Sequence, residues 1–207
     1  MFRNLSRYIS LFYFLFSFTY AENLDYLDNC VSFETSIDRN VYYPDENLFL
    51  KFNIEIEKGF HIYSVHPNKS LAPTYIEILD TVYFSAFGTV NEPKPKKKCD
   101  ISFNEYVSYH ENNIVLTQPL RIEGNLKSGD YKINGILNYY ACDATMCIPK
   151  FDEFSFNLKV DKGKSREEYS SSFSTEYKLE NIEYCKESFL DKEINKGLIS
   201  FIFFSIG

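Results

Sequence analysis

The stretch Tyr139-Tyr140-Ala141-Cys142-Asp143-Ala144-Thr145-Met146-Cys147-Ile148-Pro149 joins two strand-like runs, Tyr131 to Tyr140 and Phe151 to Val160. In the second run Phe154, Phe156, Leu158 and Val160 recur at every other position and fall on one face. The pattern predicts a β-hairpin whose end carries two cysteines with four residues between them. Thiols this close can form a small disulfide loop, and a small loop constrains the unfolded chain less than a long one. A bond that adds little stability points to chemistry more than to a staple. The pair is not a thioredoxin motif, which needs Cys-x-x-Cys at a helix N-terminus. A zinc site needs about four ligands in paired spacing, and no second Cys/His pair follows.

Working back from the hairpin, the chain reads as further short strands. Val31 to Ile37 alternates loosely. Asn47 to Ile56 places Leu48, Leu50, Phe52, Ile54 and Ile56 on one face, the period of a half-buried strand. Tyr43-Pro44-Asp45-Glu46-Asn47 and Glu57-Lys58-Gly59 are turns. Phe60 to Ser64, Thr74 to Leu79 and Thr81 to Phe87 follow as strands. Asn91 to Lys98, with four lysines and two prolines, reads as an exposed loop that breaks strand pairing. Ile114 to Ile122 is a strand whose Pro119 suggests an edge. Seven to nine short strands across residues 31–160, with no helix between them, predict an antiparallel β-sandwich.

The ends differ in composition. Arg3 and Arg7, the apolar run Tyr8 to Tyr20 and the small residue Ala21 predict a secretory signal peptide over residues 1–21. The sandwich domain is then 22–160, and 161–196 is a polar linker with a possible helix within Thr175 to Asn195. The apolar stretch 197–207 reads as the start of a truncated membrane segment, because a full span needs about twenty residues. The composition, 22 basic against 29 acidic residues, argues against nucleic acid as a partner. Export to an oxidising compartment makes paired or redox-working thiols the expectation for Cys30, Cys99, Cys142, Cys147 and Cys185. Sequence alone does not fix their connectivity. A Cys30–Cys99 bridge is one option, and Cys185, in the linker, reads as free or intermolecular. His61, His66 and His110 lack paired ligand spacing and read as structural or solvent-facing.

Lys58-Gly59-Phe60-His61-Ile62-Tyr63-Ser64, the Tyr-Ala-Cys-Asp run ending at Cys142-Asp143, and Cys147-Ile148-Pro149 together resemble the N-terminal periplasmic domain of DsbD-type thiol:disulfide interchange proteins, also called the disulfide-corrector domain. The order of signal peptide, β domain, polar linker and apolar tail is similar as well. The resemblance implies an immunoglobulin-like sandwich in the periplasm. It implies electrons arriving from a membrane domain and a thioredoxin-like domain, in this chain or another, and leaving to thioredoxin-like periplasmic proteins, including those of cytochrome c maturation. It implies no cofactor and no metal. Cys142 and Cys147 match the redox pair, with Cys147 forming the mixed disulfide and Cys142 resolving it. An aromatic cap shields the pair in the family; Phe103 is the first candidate here and Tyr106 the second, and Tyr63 matches a tyrosine near the cysteines.

Around the pair, Asp143 opposes a thiolate and Lys150 is the nearest basic residue in sequence. With no helix dipole at hand, the expectation is a thiol that reacts slowly until a partner docks. Two other readings stand beside the relay: a non-catalytic immunoglobulin-like binding module with a structural disulfide, and an exported metal-handling domain using the two thiols and a histidine.

Overall fold

The structure, a computed structural model, describes residues 29–66, 73–100, 104–170 and 183–185. The signal peptide, Phe103, most of the 161–196 linker beyond Ser170 and the apolar tail lie outside the described residues. Ten strands and one short helix are described: β1 Val31–Ile37, β2 Asn47–Ile56, β3 His61–Tyr63, β4 Tyr75–Ile78, β5 Phe84–Ala86, β6 Lys96–Asp100, β7 Glu105–His110, β8 Ile114–Ile122, β9 Gly129–Cys142, β10 Cys147–Val160 and α1 Glu167–Ser170.

The strands form two antiparallel sheets. One runs β1-β2-β8-β5; the other runs β10-β9-β3-β7-β6, with β4 also paired to β9. Between them lies one main core built from the alternating apolar positions: Leu48, Leu50, Phe52 and Ile54 of β2, Leu116, Leu120 and Ile122 of β8, and Ile62, Ile133, Leu137, Tyr139 and Leu158 of the second sheet. The chain is therefore the antiparallel β-sandwich that its period-two runs predict, of the immunoglobulin-like kind that the resemblance implies. The bounds of β1 and β2 coincide with the runs read from sequence.

Two local expectations are corrected. Lys96 to Lys98, the end of the stretch read as a loop, are not unpaired: with Cys99 and Asp100 they form β6, the outermost strand of its sheet, in register with β7 from Lys96↔Tyr109 to Asp100↔Glu105. Lysines on an edge strand discourage further pairing without preventing the inner pairing. Pro119 is not on an edge strand either, because β8 lies between β2 and β5. The proline is tolerated because its backbone polar groups face the β5 side, where its carbonyl accepts from Phe87 N–H at 3.2 Å. Pairing with β5 stops one residue short of it, at Ala86↔Leu120. The β8–β5 ladder forgoes only the return bond that Pro119, lacking an N–H, cannot donate.

Beyond β10, the chain folds back on the sandwich. Arg166 donates from Nε to Glu46 Oε1 at 2.6 Å and from Nη2 to Glu46 Oε2 at 2.7 Å. Glu46 is fully buried. Burial pushes its carboxyl up, but the bonds from Arg166 outweigh this and hold it below the usual range. The cysteine pairing also differs from expectation. Cys99 is bonded to Cys185, not to Cys30, and Cys185 is neither free nor intermolecular. Cys30 is buried beside the core at the start of β1.

Candidate redox site

In a strand, successive side chains point to opposite faces, and directly opposed residues of antiparallel neighbours share a face. That rule sorts the second sheet. Ile62, Ala141 and Tyr139 face the main core, whereas Tyr63, Val107 and Cys142 form a separate small cluster on the outer face, with Tyr109 and Tyr140 packed against it. The register His61↔Cys142↔Cys147 puts three residues in one row across β3, β9 and β10. The cysteine pair therefore lies on the outer face, separated from the core by the thickness of the sheet.

Cys142 and Cys147 are disulfide-bonded, with Cα atoms 4.0 Å apart. They occupy the opposed position next to the Asp143–Met146 backbone bond, Asp143 N–H to Met146 C=O at 3.0 Å, where antiparallel side chains come closest. Asp143 Oδ1 accepts from Thr145 N–H at 2.6 Å, Thr145 Oγ1 at 2.7 Å and Met146 N–H at 2.9 Å. These bonds hold its carboxyl below the usual range and fix the four-residue loop. The two residues differ in access: Cys142 is fully buried and Cys147 is exposed.

Tyr63, 4% exposed, brings its hydroxyl to 3.4 Å from Cys147 Sγ. The same hydroxyl donates to Asp100 Oδ2 at 3.2 Å. Burial first, and the Asp100 charge second, push the phenol well above its ordinary pKa, so it remains an O–H donor at neutral pH. A phenol has one hydrogen. With that hydrogen on Asp100, the hydroxyl presents only lone pairs to Cys147, an arrangement that suits a neutral S–H and disfavours a thiolate.

His61 stands beside Cys142. Burial first, and Lys98 second, push its pKa down to about 4. The neutral ring therefore accepts at Nε2 from Lys98 Nζ at 2.8 Å. Lys98 also lies 5.0 Å from the centre of the Tyr109 ring. Burial lowers the lysine's own pKa.

Of the residues named from sequence, the structure brings together Cys142, Cys147, Tyr63 and Asp143. Tyr106 alternates onto the opposite face of β7 from Val107, so it stands behind the sheet rather than over the pair. Lys150 opposes Tyr139, on the face opposite Cys147, and is not its basic neighbour. Lys98, like Lys96 two residues before it, lies on the redox face. Lys98 was not legible as a site residue because it sits in a segment that reads as loop, and Asp100, just beyond that segment, carries no motif of its own. His61 was readable only as an isolated histidine. Among the described residues, no group of three or more His, Cys, Asp or Glu side chains is arranged to hold a metal ion.

Comparison with known proteins follows the same direction. The sequence profile described as "Thiol:disulfide interchange protein DsbD, N-terminal" matches residues 31–159. Among solved structures, the N-terminal periplasmic domain of ScsB from Proteus mirabilis is similar at 13% identity and a TM-score of 0.44, over 63% of this chain and 47% of that one. This chain thus spans about half the length of that structure. The reduced DsbD N-terminal domain from Neisseria meningitidis is similar at 15% identity and a TM-score of 0.38, over 61% of this chain and 84% of that one. A complex of DsbD and PilB N-terminal domains from Neisseria meningitidis is similar at 15% identity and the same TM-score, over 62% and 83%. No curated protein sequence matches the chain.

Proposed function

This chain belongs to the family of N-terminal domains of DsbD thiol:disulfide interchange proteins, and on that premise we propose that it relays electrons to oxidised thioredoxin-like proteins through Cys142 and Cys147. The observation that carries the reading is the asymmetry of the pair: one cysteine exposed on a sheet face, its bonded partner fully buried.

In the reducing direction, the Cys147 thiolate attacks one sulfur of a partner disulfide. A Cys147–partner bond forms, and the partner's second sulfur leaves and takes up a proton. The Cys142 thiolate then attacks Cys147 Sγ, closing the Cys142–Cys147 bond and releasing the partner as a dithiol. Two electrons and two protons pass to the partner. Cys142 needs no access to solvent for this, because its target is the sulfur of its own cross-strand neighbour. The pair is recharged by reversal of these steps with a thioredoxin-like donor fed by a membrane electron-transfer domain, in the same or another chain. Tyr63 and Asp100 keep Cys147 protonated between encounters, Asp143 fixes the loop, and Phe103 is the proposed cap.

The proposal places the protein in the periplasm, exported by residues 1–21, with 22–160 as the interchange domain, 161–196 as the linker and 197–207 as the start of a membrane segment. The test is the reduction potential of the Cys142–Cys147 pair in the full chain, by equilibration with glutathione and thioredoxin-type buffers, together with exchange with a thioredoxin-like partner. A potential in the range of working redox proteins, with fast exchange, supports the relay. A potential below about −300 mV, as in structural disulfides, refutes it and leaves a binding module held by a staple.

A further inference from the structure

The second disulfide lies one residue from the carboxylate that meets Tyr63. Cys99 and Asp100 are consecutive on β6. Alternation sends Cys99 behind the sheet, opposite Tyr106, and Asp100 onto the redox face, opposite Glu105. Cys99 is bonded to Cys185 of the short segment 183–185. That segment adds to the start of β7: Tyr106 N–H donates to Glu183 C=O at 2.8 Å and Cys185 N–H donates to Asn104 C=O at 3.1 Å. One three-residue piece of the tail thus holds the end of β6 covalently and the beginning of β7 by backbone bonds.

The end of an outermost strand is where a sheet opens most readily. β6 is the outermost strand of its sheet, and Asp100 is its last residue. An unbroken chain of contacts then runs from the tail to the redox sulfur: Cys185 to Cys99 by the disulfide, Cys99 to Asp100 by the peptide bond, Asp100 Oδ2 to the Tyr63 hydroxyl at 3.2 Å, and that hydroxyl to Cys147 Sγ at 3.4 Å.

We propose that the Cys99–Cys185 disulfide is a positioning element of the redox site: by fixing the end of β6 it holds Asp100 on the Tyr63 hydroxyl, and so keeps the hydroxyl hydrogen away from Cys147. With the tie opened, Asp100 withdraws, Tyr63 turns its hydrogen to the Cys147 sulfur, and the reduced site gains thiolate. The inference rests on the reading of Cys147 as the exchanging sulfur, but its test does not depend on any partner.

The experiment measures alkylation of Cys147 in the full chain at neutral pH, resolved by peptide mass spectrometry. The wild type is reduced with limiting dithiol, and molecules that keep Cys99–Cys185 closed are scored separately. In a Cys99→Ser/Cys185→Ser variant the rate is expected to rise about threefold, the net of about tenfold more thiolate and its weaker nucleophilicity. Asp100→Ala is expected to give a similar rise, and the triple variant no more than either. An unchanged rate in a folded double variant, or full additivity with Asp100→Ala, overturns the proposal. Should the double variant not fold, wild-type molecules with the tie open and closed are compared within one partially reduced sample, and equal rates overturn it. Failure of the wild type to exchange with a thioredoxin-like protein, with the alkylation coupling intact, refutes the relay and leaves the positioning role standing.

Discussion

In an Asp100→Ala variant, the Tyr63 hydroxyl loses the acceptor that holds its hydrogen, and the redox face loses a negative charge. Asp100 Oδ2 and Cys147 Sγ touch the same hydroxyl at 3.2 and 3.4 Å; they therefore lie within about 7 Å, where two like charges repel by about 0.6 kcal/mol in water and about 2.4 kcal/mol at an effective dielectric constant of ~20. A site that is part buried and part open falls between, at about 1.4 kcal/mol, which is one pKa unit. The freed hydroxyl then donates to the thiolate, a shift in the same direction. Both effects favour the Cys147 thiolate in the reduced site, and its alkylation at neutral pH is expected to rise about threefold once the loss of nucleophilicity is counted. The assay is the pH profile of Cys147 alkylation in reduced protein, peptide by peptide. Adding Tyr63→Phe to Asp100→Ala removes the donor and should return part of the rise. A profile that does not move, or a slower thiol in Asp100→Ala, refutes the assignment of Tyr63 and Asp100 as the pair that keeps Cys147 protonated.

Other consequences follow from the same geometry. Phe151, 66% exposed, lies four residues from Cys147 on the same strand and the same face, in one row with Asn138 and the exposed Tyr75. Any protein that bonds to Cys147 covers this row, since a docking footprint is about 800 Å² per partner; Phe151→Asp should slow exchange with a thioredoxin-like protein while leaving reduction by dithiothreitol unchanged. Arg166→Ala leaves the fully buried Glu46 with the Tyr43 N–H and the more distant Arg39 guanidinium, and should cost about 1–3 kcal/mol in chemical denaturation. Because the folded Glu46 carboxyl is held below its unfolded value, its contribution is present above about pH 4.3 and is lost as pH falls through the folded value; the acid limb of stability should flatten in that variant. The His61 ring should remain neutral in an NMR titration until about pH 4, and protonation near pH 6.5 would contradict the Lys98-to-His61 bond. Gly135→Ala should destabilise the domain by at least about 1–3 kcal/mol, because a Cβ there meets the Phe154 ring and the Glu77 carbonyl across the β4-β9-β10 crossing.

The sandwich was legible because its information is local. β2 writes its buried face as Leu48, Leu50, Phe52, Ile54 and Ile56, and the two halves of the hairpin do the same around the cysteines. The redox pair was legible for a similar reason: both thiols and the loop that joins them lie within a few residues. Asp100, Lys98 and His61 were not, because what makes them site residues is register across the five strands β6, β7, β3, β9 and β10. Four lysines interspersed with two prolines read as loop by composition over Asn91 to Lys98, and only pairing with β7 turns Lys98 and, two residues on, Asp100 toward the redox face. Lys150 illustrates the converse. It is three residues from Cys147 in sequence, and an odd separation in a strand puts it on the other side of the sheet. The Cys99–Cys185 bond was beyond reach because connectivity over a separation of 86 residues depends on where the tail docks.

The two disulfides divide their work by loop length and by position. In the chain-entropy view, a bond across 86 residues stabilises by up to about 4.6 kcal/mol, whereas one across five gives about 2 kcal/mol. A relay bond must open in every cycle without loosening the domain, and the Cys142–Cys147 bond meets that condition twice over. Its own contribution is small, and the loop it closes keeps its shape through the Asp143 hydrogen bonds and the β9-β10 register whether or not the sulfurs are joined. It also lies outside the main core, so opening it exposes no part of the packed interior between the sheets. The long-loop bond carries the opposite assignment: it fixes the end of an outermost strand and the carboxylate at its tip. A site in which the cheap bond reacts and the costly bond holds the groups that restrain it can cycle at constant fold, with its reactivity set from a strand edge rather than from the core.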